Sequence, residues 1–282
     1  MTALDELLQF LKEDTPAGDV TSDAIIPEVS CTAAIRAEQE GILAGIDEAS
    51  VLFSHFGVAI ISGKNDGEVV RNGDIVLSLS GRAKKILLVE RTALNILARM
   101  SGIATRTAAM AAIVRAANPS CRVAGTRKTC PGFRRFDKRA VQIGGGDPHR
   151  MNLSDGILIK DNHLAIVPLE EALHAARRHS AYKKIEVEVE SATDAVKAAG
   201  AGADIVMLDN MTPAQVQETI SLLKEKGLRD KVVIEISGGI DENTLRDYAA
   251  CGADVISMGA LTHTVKNFSL SLEIQPVRAG KE

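Results

Sequence analysis

The residues able to do chemistry gather at a few places in the chain. Between Arg122 and Lys160 there are nine Lys/Arg (122, 127, 128, 134, 135, 138, 139, 150 and 160) against three Asp (137, 147 and 155), a local charge of +6 in a chain of formal net charge −4, so the remainder carries −10. Such a segment is either a solvated face or a site for a small polyanion, because charge concentrated in a cleft focuses its field on a ligand. Here the charges are interleaved with Gly, Pro and His, in Thr126-Arg127-Lys128-Thr129-Cys130-Pro131-Gly132 and Gly144-Gly145-Gly146-Asp147-Pro148-His149-Arg150. These compositions build loops, not amphipathic helices. Arg127, Lys128, His149, Arg150 and Lys160 offer several donors, and the planar guanidinium groups suit bidentate capture of a carboxylate. His149 is also readable as a loop histidine bonded to backbone, and His163 as a cap on the strand of Lys160.

Two further groups stand downstream. Glu188 and Asp209 end successive strand-like runs, where side-by-side carboxylates could hold Mg²⁺ while phosphates complete its shell, or balance nearby lysines in an ion-pair network. Glu186 and Glu190 share the period-two face of Glu188, so register alone does not separate the three. Ser237-Gly238-Gly239-Ile240 and Met258-Gly259-Ala260 end the last two runs; glycines there let backbone N–H groups approach phosphate oxygens, or simply make a tight strand-to-helix turn. HExxH spacing, a G-x-S-x-G elbow, a Walker lysine loop and G-x-G-x-x-G are all missing from the sequence, against zinc hydrolysis, the common hydrolases, NTPases and dinucleotide binding.

Elements that position these groups repeat from residue 121: a short β-branched run, a polar or glycine-rich end, then a helical segment. The runs are 122–124, 157–159, 185–189, 205–208, 232–236 and 255–258, with helices expected at 168–179, 192–199, 213–226 and 242–251. Six βα units predict a parallel barrel, complete or open, whose C-terminal strand ends converge on one face. Before them, 4–12 reads as helix, 32–37, 58–62 and 75–79 as strands punctuated by glycine, and 84–116 as one or two linking helices. The turns of 66–76 suggest a lipoyl-type module, but no lysine sits between paired hydrophobics at a hairpin tip, which excludes a carrier domain.

Composition agrees with a soluble globular protein: 282 residues, 45% hydrophobic and 25% charged. The acidic balance, absence of Trp and presence of only two Tyr argue against nucleic-acid binding. No apolar run approaches the roughly 20 residues of a membrane span, and the start, MTALDELLQFLKED, is read as the first helix of a cytoplasmic protein. Cys31, Cys121, Cys130 and Cys251 show no CxxC pair, so neither disulfides nor structural zinc are expected.

Taken in order, Glu90-Arg91-Thr92-Ala93-Leu94-Asn95, Thr126-Arg127-Lys128-Thr129-x-Pro131-Gly132, Gly144-Gly145-Gly146-x-x-His149-Arg150, Leu158-Ile159-Lys160-Asp161-Asn162-His163, Met207-Leu208-Asp209-Asn210-Met211, Ser237-Gly238-Gly239-Ile240 and Leu261-Thr262-His263 resemble the nicotinate-nucleotide pyrophosphorylases, or quinolinate phosphoribosyltransferases. The resemblance extends to Glu13-Asp14 and Gly18-Asp19-Val20-Thr21, nearly the whole chain. It implies an α/β plus α+β architecture: an N-terminal α/β sandwich over 1–108, completed by the tail 268–282, and an open, incomplete α/β barrel over 109–267.

The resemblance also implies a reaction: quinolinate and phosphoribosyl diphosphate give nicotinate mononucleotide, CO₂ and diphosphate, with Mg²⁺, in NAD biosynthesis. By motif position Arg91, Thr126, Arg127, His149, Arg150 and Lys160 would hold the pyridine dicarboxylate, with Arg91 lent by the neighbouring subunit of a homodimer or larger homo-oligomer. Lys128, Glu188 and Asp209 would be catalytic and engage the diphosphate and ribose, Glu188 and Asp209 with the metal. Ser237, Gly238, Gly239, Gly259 and His263 would line the phosphate end. Two departures from the family pattern stand out: Thr15-Pro16 in an N-terminal loop, and Ile236, which could crowd the phosphate turn. Nicotinate-using transferases and a molybdenum-linked relative are rivals within the class; a non-catalytic binder of phosphorylated metabolites is the rival outside it.

Overall fold

A computed structural model describes residues 2–275 of the chain. The expected completion of the first domain by 268–282 therefore falls partly outside the described residues. Two compact units are present, residues 2–106 with 265–275 and residues 107–264.

The first unit begins with α1 (Ala3–Asp14), whose start is fixed by a capping box: Asp5 N–H donates to Thr2 Oγ1 at 3.2 Å and Thr2 N–H donates to Asp5 Oδ2 at 2.7 Å. Its apolar stripe buries Leu7 and Leu11. After α2 (Val20–Ile25) come β1 (Ser30–Ala37), β2 (Gly41–Ile42), α3 (Ile46–His55), β3 (Ala59–Gly63), β4 (Val69–Val70) and β5 (Ile75–Arg82). The sheet is antiparallel, with β1 between β5 and the last strand among the described residues. Gly67 and Gly73, at φ +90° and +89°, make the corners on either side of β4. One helix, α4 (Ala83–Ala117), follows where one or two were expected. Its hydroxyls tie down the segment after β1: Ile42 N–H donates to Thr105 Oγ1 at 2.9 Å and Ala44 N–H to Ser101 Oγ at 3.0 Å.

The second unit alternates strand and helix: β6 (Arg122–Ala124), α5 (Arg134–Ile143), β7 (Ile157–Ile159), α6 (Asp161–Leu164), α7 (Leu169–His179), β8 (Ile185–Val189), α8 (Ala192–Gly200), β9 (Ile205–Asp209), α9 (Pro213–Glu225), β10 (Val233–Ser237), α10 (Leu245–Ala249), β11 (Val255–Ser257) and α11 (Ala260–His263), after which β12 (Leu270–Gln275) returns to pair with β1 of the first unit. All six strands β6 to β11 are parallel, in the order β6-β11-β10-β9-β8-β7, and the end strands β6 and β7 do not pair. This is an open barrel. The basic segment is not loop throughout: α5 lies between its two glycine-rich stretches and carries Arg134, Arg135, Lys138 and Arg139. The helix expected at 242–251 shortens to α10.

A repeated Gly-Ala-Asp sets the strand register at the barrel's other end. Gly202 and Gly252, at φ +91° and +89°, close α8 and α10 in a conformation that glycine adopts freely. The aspartate two residues later then accepts an N–H at the start of the preceding strand in chain order: Ile185 N–H, the first of β8, donates to Asp204 Oδ2 at 2.8 Å, and Ile234 N–H, the second of β10, donates to Asp254 Oδ2 at 2.7 Å. Because side chains alternate along a strand, this register decides which residues reach the opposite mouth.

Candidate active site

The C-terminal ends of all six barrel strands meet at one cavity of 450 Å³. Thr126, Arg127 and Lys128 enter it from the end of β6, and Leu158 and Lys160 from β7; Glu188, Met207, Asp209, Glu235, Ser237 and Ser257 enter from the remaining strands. His149 and Arg150 reach in from the loop between α5 and β7. Residues at the two unpaired edges of the sheet thus line the same space, as a curled sheet requires. A larger groove of 590 Å³ at the start of β6, between Arg115 and Gly145, holds none of the expected site residues.

One wall is cationic. Thr126 Oγ1 accepts the N–H of Lys128 at 3.0 Å, and the Lys128 carbonyl accepts from Thr262 Oγ1 at 2.8 Å, so the loop is held at both edges. Arg127 and Arg150 each bury an Nε that has no acceptor among the described residues. The N–H of Lys160 donates to His163 Nδ1 at 2.9 Å, the capping role expected of His163.

The other wall is acidic. Glu188 and Asp209 end neighbouring strands, and Lys160 Nζ pairs with Glu188 Oε2. Burial and then the charge of Glu188 raise the Asp209 pKa, with Lys160 partly opposing. Register now separates the three glutamates: Glu188 lines the cavity, Glu186 is buried one layer deeper, and Glu190 is exposed beyond the strand. Burial, then the charge of Glu235, pushes Glu186 up to about 7.

At the phosphate-like corner, Asn210 adopts φ +53° and its N–H donates to the Ser237 carbonyl at 3.0 Å, while its Nδ2 donates to Asp209 Oδ2 at 2.7 Å. A Cβ on Gly238, itself at φ +94°, would come 2.7 Å from Asn210 Cγ. Gly238, Gly239, Gly259 and His263 flank the cavity and do not line it; His263 is exposed, with Nδ1 2.7 Å from Thr264 Oγ1. Ile236 does not crowd the turn: it is fully buried and alternates with cavity-lining Glu235 and Ser237, so it faces the other side of β10. Arg91 lies in the first unit, exposed on α4.

Glu235 and Ser257 were not among the expected residues, although each sits two before an expected strand-end residue, Ser237 and Gly259, and so shares its face. Lys138, fully buried on α5 with its Nζ donating to the Pro148 carbonyl, gave no sequence signal, because a lysine in a basic segment reads as solvated. The four cysteines are free, and among the described residues no helix is long and apolar enough to cross a membrane.

The family models for quinolinate phosphoribosyl transferase match the chain in two parts, the N-terminal domain over residues 19–101 and the C-terminal domain over 103–273. A probable nicotinate-nucleotide pyrophosphorylase [carboxylating] of Methanothermobacter thermautotrophicus is 46% identical over 98% of this chain and 100% of its own. The Homo sapiens nicotinate-nucleotide pyrophosphorylase [carboxylating] is 40% identical over 95% of this chain and 92% of its own. Among solved structures, the nicotinate-nucleotide pyrophosphorylase from Francisella tularensis superposes with a TM-score of 0.90 at 34% identity, covering 97% of this chain and 96% of that one.

Proposed function

The chain belongs to the quinolinate phosphoribosyl transferase family, and from that premise we propose that it transfers the phosphoribosyl group of phosphoribosyl diphosphate to the ring nitrogen of quinolinate, releasing diphosphate and CO₂ and leaving nicotinate mononucleotide. The observation that carries this reading is a single cavity with a cationic wall facing a carboxylate pair beside a glycine turn.

Quinolinate carries two adjacent carboxylates, and Arg127, His149, Arg150 and Lys160, with Thr126, give them charge-assisted donors on one wall. Lys128 and the backbone N–H groups near Ser237, Gly238, Gly239 and Gly259 hold phosphate groups on the other side, with His263 at its rim. So held, the ring nitrogen faces C1 of the ribose at high effective concentration. The C1–N bond forms as the C1–O bond breaks, and the electron pair leaves with diphosphate. Glu188 and Asp209 stabilise the positive character that develops at C1, and no side-chain nucleophile is needed. Once the nitrogen is positively charged, the neighbouring C2–carboxylate bond breaks; CO₂ departs, the electron pair stays on C2 beside that charge, and water supplies the proton.

The carboxylate pair fits a divalent cation, since Glu188 burdens Asp209 with its charge and Lys160 is the cation paired with Glu188 among the described residues. Mg²⁺ held there by Glu188 and Asp209 would neutralise the departing diphosphate. Arg91, exposed on α4, is assigned to the dicarboxylate site of a second copy in a homodimer, and the enzyme is assigned to the cytoplasm with its soluble substrates.

The deciding assay gives the purified protein phosphoribosyl diphosphate and Mg²⁺ with either quinolinate or nicotinate, and follows mononucleotide and CO₂ together. Equimolar CO₂ and mononucleotide from quinolinate alone is the expected result. Product from nicotinate without CO₂, or product from neither, rejects the reading.

A further inference from the structure

Two charged groups to which the reaction assigns no step are buried at the cationic end of the cavity, Lys138 behind its wall and Glu235 in its lining. Lys138 on α5 has no exposed surface, and its Nζ donates to the Pro148 carbonyl. Glu235 on β10 is 2% exposed, and its Oε2 lies 3.4 Å from Nε2 of His149. Glu186 Oε2 stands 3.8 Å from the same nitrogen.

Between these handles the backbone makes a turn that a residue with a side chain seldom makes, since His149 has φ +56°. Such a conformation persists only where its surroundings over-determine it. The backbone N–H groups of His149 and Arg150 are engaged as well. His149 N–H donates to Asp147 Oδ1 at 2.7 Å, and Arg150 N–H donates to His149 Nδ1 at 2.8 Å. That second bond leaves the proton of a neutral ring on Nε2, facing Glu235. Arg150 is tied further along its length, with a guanidinium nitrogen donating to the Gly156 carbonyl at 3.3 Å.

Burying an ammonium group and a carboxylate costs several kcal/mol per ion in general, so apolar side chains of similar volume would pack this wall more favourably. The charges are explained by what they hold. Lys138 fixes the backbone one residue before His149, Glu235 fixes the ring, and Arg150 follows because its N–H is bonded to that ring.

We propose that Lys138 and Glu235 are positioning residues for the carboxylate-binding end of the cavity, acting through the Pro148–His149–Arg150 turn. The inference rests on the assignment of that end to quinolinate. Each sets where the donors of His149 and Arg150 stand, and misplacement of a positioned group by about 1 Å can cost about a hundredfold.

The test uses full-length Lys138→Met, Glu235→Leu and Glu235→Gln proteins. Steady-state constants are measured for both substrates, and nitrogen-15 spectra of the histidine rings report the His149 tautomer. Lys138→Met and Glu235→Leu should raise the KM for quinolinate about tenfold to a hundredfold and leave that for phosphoribosyl diphosphate within about twofold. Glu235→Gln, which keeps an acceptor oxygen in place, should recover most of the loss. The Nε2–H signature of His149 should be present in the wild type and in Glu235→Gln and lost in Glu235→Leu. Equal loss for both substrates, an unchanged KM for quinolinate, or no rescue by glutamine overturns the proposal. A wild type that forms no product from quinolinate rejects the functional reading instead; the His149 spectrum then decides the positioning role, and an unchanged signature in Glu235→Leu rejects it.

Discussion

Lys128 passes directly over Gly259: a Cβ built on Gly259 would stand 2.9 Å from Lys128 Cδ and 3.1 Å from His263 Cδ2. The backbone of Gly259 is helical, at φ −61°, so any residue could adopt it. What glycine supplies here is space, which lets the loop after β6 lie against the end of β11. Gly259→Ala should therefore displace the Lys128 side chain and leave the barrel folded. The expected result is a KM for phosphoribosyl diphosphate raised about tenfold, a loss of about 1.4 kcal/mol, with an almost unchanged melting temperature. Initial rates over a range of that substrate decide it; an unchanged KM removes Lys128 from the phosphate end.

Arg127 provides the complementary test at the other wall. Its Nε is buried with no acceptor among the described residues, as expected of a donor waiting for a ligand carboxylate. Truncation to alanine should weaken quinolinate binding by about 1.5 to 3 kcal/mol, the range for hydrogen bonds to charged groups, and leave phosphoribosyl diphosphate binding nearly unchanged. Titration calorimetry with each substrate separately makes the comparison. Equal weakening of both would show that the two ends of the cavity are not divided as assigned.

The legible and illegible parts of this chain differ for physical reasons. Strands β6, β7 and β8 fall at their expected residues because parallel strands buried on both faces read as β-branched runs that polar residues end abruptly. The strand-end places of Glu188 and Asp209, which line the cavity, were legible for the same reason, since strand-end positions are visible in one dimension. Glu235 was passed over because it sits inside a run, where an acidic residue looks like the polar half of an alternation. Only closure of the sheet brings it under His149, a residue 86 positions earlier in the chain. The α5 helix was hidden by its setting: Phe136, Ala140 and Val141 form a short apolar stripe, but the glycine-rich stretches on either side read as loop, and the buried face also includes Lys138 and Asp137.

Asp254 shows how a small motif governs the register of the site. It accepts the N–H of Ile234 at 2.7 Å on one oxygen and Arg229 at 2.9 Å on the other, and Ile234 is fully buried. Asp254→Ala leaves a buried N–H without its acceptor and an arginine without its carboxylate. The expected cost is about 2 to 3 kcal/mol, read as a lower urea midpoint with an unchanged slope. A loss below about 0.5 kcal/mol, the ordinary scale of a surface substitution, would show that the clamp does not set the register.

Lys138 gives the pH dependence a definite sign. Burial lowers its pKa from 10.5 to about 8, with the charge of Arg134 adding to the effect. Below pH 8 both folded and unfolded chains carry the proton, and the folded state bears the full penalty of a buried ammonium group. Between pH 8 and 10.5 the unfolded chain binds the proton more than the folded one does, so stability rises with pH through this window as far as this group is concerned. The shift corresponds to about 3 kcal/mol. Lys138→Met removes that penalty and leaves the Pro148 carbonyl without its donor, so its effect relative to wild type should be most favourable near pH 7 and decline steadily towards pH 10. Calorimetric unfolding of both proteins at several pH values across this window tests it. A stability difference that stays flat with pH would mean that Lys138 is not held charged in the wall; a difference that falls as described, in a variant that also binds quinolinate poorly, would show stability given up to hold the His149 turn in place.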